Sequence, residues 1–106
     1  MRVLFDQGTP VPLRQSLTRH DVATAYERVW SALKNGELLD VAEKEGFEVL
    51  VTTGSNLKYQ QNLTSWRIAI VVLSTPSWPR IQRAIAAVVH AIKGASEGSY
   101  TEVKIP

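Results

Sequence analysis

A chain of 106 residues has room for one domain built on a single core. Hydrophobic residues make up 44 % and charged ones 21 %, a globular balance that argues against disorder, and the net charge of +2 admits contact with nucleic acid without requiring it. The absence of cysteine excludes disulfides, thiolate catalysis and cysteine-based zinc, and two histidines far apart in sequence, His20 and His90, argue against a histidine-rich metal site.

The opening M-R-V-L-F-D is too short and too soon charged for a signal peptide. The longest apolar run, 68–73, falls far below the roughly 20 residues that span a bilayer. The expectation is a cytoplasmic protein with no membrane contact. Val3-Leu4-Phe5 reads as a first strand ending at Asp6, and Gln7-Gly8-Thr9-Pro10 as a turn. Thr9 is placed to cap a helix with Pro10 at its first position, and Leu13 and Leu17, four apart, would face the core. Residues 21–25 suggest a second, weaker strand, and 26–33 is left open between a helical turn and a loop.

Asn35 suits the N-cap of a helix running to about Lys44, with Leu38, Leu39 and Ala42 on its apolar face and Gly46 as its stop. Residues 47–53 read as strand three, and 56–61 as a short helix or turn. Residues 68–73, apolar throughout, read as a strand covered on both faces. One helix starting around Ser77 and Pro79 would turn Ile81, Ile85, Val88 or Val89, and Ile92 inward, ending at Gly94. An alternating edge strand closes the chain over 100–105. The β-α-β order indicates one compact three-layer α/β domain, 1–106, with a mostly parallel sheet of four to five strands.

In such a sheet ligands bind where strands end and helices begin. Asp6 ends the first strand, where it would hold a divalent cation or simply cap a turn through the N–H groups of residues 7–9. Glu37 sits in the first turn of its helix, favoured by the dipole alone but facing the same rim. Two convergent carboxylates suffice for Mg²⁺, which keeps several waters. Glu27 follows the second strand and would also reach the rim. Asp40, four residues before Lys44, is accounted for as an exposed ion pair. Gly54-Ser55-Asn56 reads either as a nest of N–H groups for a phosphate, with Lys58 adding charge, or as an ordinary turn. Ser74, Thr75 and Ser77 offer hydroxyls at the rim or caps. Arg80, Arg83, His90 and Lys93 would share one outer helix face, as a nucleic-acid track or a solvated surface. Trp30, Trp66 and Trp78 read as partial core or as an interface, the latter pointing to a homo-oligomer or a protein partner. His20 reads as structural, at the edge away from the rim.

M-R-V-L-F-D-Q-G-T-P-V-P-L at 1–13, N-G-E-L-L at 35–39 and V-L-V-T-T-x-x-N-L at 49–57 together resemble a family of small bacterial PIN-like proteins, related to the PIN ribonucleases of toxin–antitoxin pairs. The resemblance spans essentially the whole chain. It implies acidic residues gathered at the carboxyl rim of a parallel sheet, binding Mg²⁺ or Mn²⁺ and activating water for phosphodiester cleavage of RNA. It places Asp6 as the first acid. The helix-start acid falls on Asn35, leaving Glu37 as the nearby carboxylate. The Asp that follows Thr-Thr in relatives falls on Gly54, and a further acidic position on Asn56.

Two expectations follow from the resemblance. One is a metal-dependent endoribonuclease resting on Asp6 and Glu37, with Glu27, Asn35 and Asn56 as accessories. In it Ser55, Asn56 and Lys58 would position the phosphate, and Arg80 and Arg83 would contact RNA. The other is a catalytically inactive module that binds RNA or an antitoxin-like partner through the basic helix and the tryptophans. Outside the resemblance, a nucleotide-binding protein using the Gly54 nest is a third expectation.

Overall fold

The computed structural model describes residues 1–33, 35–53 and 66–106, with the side chain of Asn35 outside the description. Five strands, β1 (Arg2–Phe5), β2 (Asp21–Thr24), β3 (Val49–Thr53), β4 (Ala69–Leu73) and β5 (Tyr100–Val103), form one sheet in the order β2-β1-β3-β4-β5. Every neighbouring pair is parallel. The three-layer α/β reading is therefore correct, and the sheet is parallel throughout. Among the described residues no helix is long and apolar enough to cross a membrane.

Parallel strands must be covered on both faces, and the alternation along β1 and β3 shows how. Val3, Phe5, Val49 and Val51 point to one core, and Leu4 and Leu50 to the other. The first core is closed by Leu13 and Leu17 from the β1–β2 connection and by Ile81, Val88 and Ile92 from helices α2 (Trp78–Arg83) and α3 (Ile85–Lys93). The second is closed by Leu38, Leu39 and Ala42 of α1 (Asn35–Lys44), the three residues expected to form its apolar face. The β1–β2 and β4–β5 connections thus cover the same face while stepping in opposite directions across the sheet. They have opposite hands, so one of them is an exception to the right-handed rule.

Three local expectations need correction. The segment after β1 is a 3₁₀ helix over Val11–Ser16, with Pro10 at its N-cap and no side-chain cap. Thr9 is not the cap because its hydroxyl is engaged elsewhere. The single final helix is two helices, broken at Ala84, which has φ −111° and ψ 24°. Ile81, Val88 and Ile92 are buried, and Ile85 only partly so. Among the described residues Asp40 pairs with no lysine: it accepts a 2.8 Å hydrogen bond from the Trp66 indole, which reaches it from the segment before β4.

The stop of α1 is as expected. Gly46 has φ +83°, its N–H reaches the Glu43 carbonyl at 3.1 Å, and the Phe47 N–H reaches the Ala42 carbonyl at 3.0 Å. This is a Schellman closure, which needs a left-handed residue at that point. Phe47 then packs inside the second core before β3 begins, which is why the strand starts at Val49.

Candidate functional site

The strand order reverses between β1 and β3, because the chain leaves β1 for β2 on one side and returns to β3 on the other. Crevices outside the carboxyl ends of strands at such a point are where α/β folds bind ligands. Asp6 stands there. Its backbone N–H donates to the Val51 carbonyl at 3.1 Å, extending the β1–β3 ladder by one residue and fixing the carboxyl group at the rim.

Three donors converge on that carboxyl. Oδ1 accepts from the Gly8 N–H at 3.1 Å and lies 2.9 Å from the Thr9 hydroxyl, while Oδ2 accepts from the Thr52 hydroxyl at the end of β3. Thr9 Oγ1 also lies 2.8 Å from the Val51 carbonyl. The turn-capping reading of Asp6 is thus realised through Gly8, with an added tie to the neighbouring strand. Burial pushes the Asp6 carboxyl above its ordinary range, and the bonds from Thr52, Thr9 and Gly8 offset this only in part. A Cβ on Gly8 would lie 2.7 Å from Thr53 Oγ1, so the close approach of the turn to β3 explains the glycine.

Asp6 forms part of two adjoining depressions. The larger, of ≈ 460 Å³, is bounded by Gln7, Val11, Tyr26 and Glu27, and the smaller, of ≈ 160 Å³, by Gln7, Trp30, Ser31 and Leu38. Another hollow, of ≈ 570 Å³, lies at the opposite end of the strands beside Phe47, Glu48 and Ile68. Its size does not make it the better site, because it is remote from the strand ends where side chains of different strands converge.

Glu27 does reach the rim, but it is occupied. Its carboxylate takes the Arg14 guanidinium through bonds of 2.5 and 3.2 Å and the Thr24 N–H at 3.0 Å, and its own N–H donates to Thr24 Oγ1 at 3.0 Å. The Arg14 pairing holds it below the usual carboxylate range. The reciprocal Thr24–Glu27 arrangement is that of a capping box. Glu37 is exposed in the first turn of α1 and lines neither depression.

Among the described residues the acidic side chains do not gather into a group of three that could hold Mg²⁺ or Mn²⁺. All ten acidic residues and both histidines of the sequence lie among the described residues, and no three of them come together to hold a metal. A hard cation depends on anionic oxygens. Here it would compete with hydroxyl and amide donors for a carboxyl group whose protonated form burial already favours.

Gly54, Ser55, Asn56 and Lys58 lie outside the described residues. The expected basic track on the last helix is interrupted by the break at Ala84. Arg80 donates to the carbonyls of Pro106 at 2.9 Å and Ile105 at 3.1 Å, tying down the segment after β5, and Arg83 donates to the Pro79 carbonyl at 3.3 Å. Trp30 and Trp66 pack half-buried against the second core, and Trp78 against the first, so they serve as partial core. Thr75 caps the turn before α2 through the Ser77 N–H at 3.1 Å, and Ser74 Oγ accepts from the Ile105 N–H at 2.8 Å. His20 lies at the amino end of β2, 3.4 Å from the Met1 nitrogen, away from the rim as expected.

Reading from sequence overlooked Thr9, Thr52, Gln7, Val11 and Tyr26. The two threonines could have been found from their position next to strand ends. Tyr26 had no such signal, because it belongs to a segment of irregular turns. It is 79 % exposed, Val11 is 54 % and Val29 88 %, so three large apolar side chains stand in solvent on segments adjoining this rim. Comparisons of the chain with protein-family models, curated proteins and solved structures give no match.

Proposed function

We propose that this chain is a PIN-like, toxin-type domain that has kept the fold and rim of a ribonuclease without its metal centre, and that it binds single-stranded RNA without cleaving it. The observation that carries this reading is the state of the rim. One carboxyl, Asp6, sits at the switch point with its oxygens engaged by Gly8, Thr9 and Thr52, and the next, Glu27, is matched to Arg14. Hydrolysis assisted by a metal needs a cation to generate the nucleophile and stabilise developing charge. Among the described residues the rim gathers no group of three acids or histidines to hold one, and Glu37 lines neither depression beside Asp6. What the rim does supply is a depression with an exposed aromatic ring at its side, the kind of surface on which unpaired bases stack.

The test is incubation of the chain and of Asp6→Asn with a mixed RNA pool in Mg²⁺, in Mn²⁺ and in EDTA, following both retention and cleavage. The expected result is binding that EDTA leaves unchanged and no cleavage product. Cleavage that Asp6→Asn abolishes would overturn the reading in favour of a ribonuclease working on a reduced acidic set. No binding in any condition would also overturn it, and would direct the search to a protein partner of the antitoxin type.

A further inference from the structure

We propose that the depression between Gln7 and Tyr26 is a base pocket that takes one unpaired adenine, with the Tyr26 ring as the stacking surface and the Gln7 amide reading the base edge. This assignment rests on the RNA-binding reading above and adds to it which base is taken and by which residues.

Four features of the pocket select the ligand. Its volume of ≈ 460 Å³ lies within the range of small-ligand sites. Val11 and Tyr26 give it apolar surface, and both are strongly exposed although neither is needed by either core. A tyrosine ring left 79 % in solvent at a pocket wall is available for stacking, an interaction that every base offers.

Gln7 is exposed and makes no side-chain hydrogen bond among the described residues, so its carbonyl and its NH₂ group are both available. A glutamine amide pairs in bidentate fashion with adenine, donating to a ring nitrogen and accepting from the exocyclic amine. The remaining polar lining includes Asp6 and Glu27. Both carboxyl groups are already engaged, Asp6 by Gly8, Thr9 and Thr52 and Glu27 by Arg14 and Thr24, so the base edge is read by Gln7. Uracil offers no exocyclic amine to the Gln7 carbonyl and a smaller ring to the Tyr26 face, and is disfavoured.

The experiment is calorimetric titration of the full chain, in EDTA, with oligoadenylate and oligouridylate of equal length, repeated for Tyr26→Ala, Tyr26→Phe and Gln7→Ala. Oligoadenylate is expected to bind more tightly than oligouridylate. Tyr26→Ala is expected to weaken oligoadenylate roughly 10- to 100-fold, and Tyr26→Phe to retain the affinity because the ring remains. Gln7→Ala is expected to erase the preference between the two. Equal affinity for both oligomers in the parent chain, or undiminished binding by Tyr26→Ala, would overturn the pocket assignment while leaving RNA binding standing. Failure of both oligomers to bind would remove the RNA reading itself, and the pocket assignment with it.

Discussion

Asp6 and Glu27 both stand at the carboxyl rim, yet the fold pushes their protonation in opposite directions. Burial raises Asp6 above its ordinary value of 3.8, so above that pH the folded chain holds more of this proton than the unfolded chain. Its contribution to stability is greatest in acid and falls as pH rises from 3.8 through the folded value. Asp6→Asn is therefore expected to be more stable than the parent at neutral pH, with the gap closing in acid, as read from urea midpoints across that range. Glu27 has the reverse sign. The Arg14 pairing lowers it below 4.5, so its contribution is present above that pH and lost as pH falls through the folded value. Glu27→Gln should lower the urea midpoint slightly at neutral pH and leave it unchanged in strong acid. Val29 adds a third residue-scale feature, a β-branched side chain at φ 62° that is 88 % exposed. Left-handed geometry costs such a residue roughly 1–2 kcal/mol, so Val29→Asn should stabilise the fold by about 1 kcal/mol in thermal unfolding. The position of Asp6 at a strand end was legible in the sequence. Its partner Thr52 was not, because that contact joins residues far apart in the chain.

At the scale of elements, helix ends divide into those set locally and those set by packing. The stop of α1 is local: Gly46 supplies the left-handed residue that a Schellman closure requires, and the sequence showed it. Gly46→Ala would place a Cβ 2.9 Å from Arg2 Nη1 at φ +83° and is expected to cost about 1–2 kcal/mol in chemical unfolding. The break between α2 and α3 carries no glycine or proline at Ala84 to announce it. Periodicity put Ile81, Ile85, Val88 or Val89, and Ile92 on one continuous stripe, whereas the fold buries Ile81 against the 3₁₀ helix side and turns the chain before Val88. The basic residues expected to share one helix face are divided between α2 and α3 for the same reason. Arg80→Ala is expected to speed hydrogen exchange at the Ile105 amide, whose segment it anchors, and to leave RNA affinity unchanged.

At the scale of the whole molecule, the parallel sheet gathers the ends of β1 and β3 and the Tyr26 segment after β2 at one rim. Resemblance to PIN-like proteins places an acid where this chain has Gly54, immediately after β3. On the reading proposed here, Gly54→Asp should confer Mn²⁺-dependent cleavage of RNA that a second change, Asp6→Asn, removes. Gel assays on the parent, the single variant and the pair measure this directly.

The sequence by itself determined a mostly parallel α/β sheet of four to five strands, their approximate limits and the apolar face of α1. Each of these follows from local hydrophobic pattern, turn residues or composition, which need no knowledge of distant neighbours. Only the tertiary structure decided the strand order, the Thr52–Asp6 bond, the pairing of Glu27 with Arg14, the anchoring role of Arg80 and the exposure of Tyr26 beside Gln7. Those depend on which strand ends become neighbours, and that is settled by burying both faces of the sheet at once, a condition that no short window of residues contains.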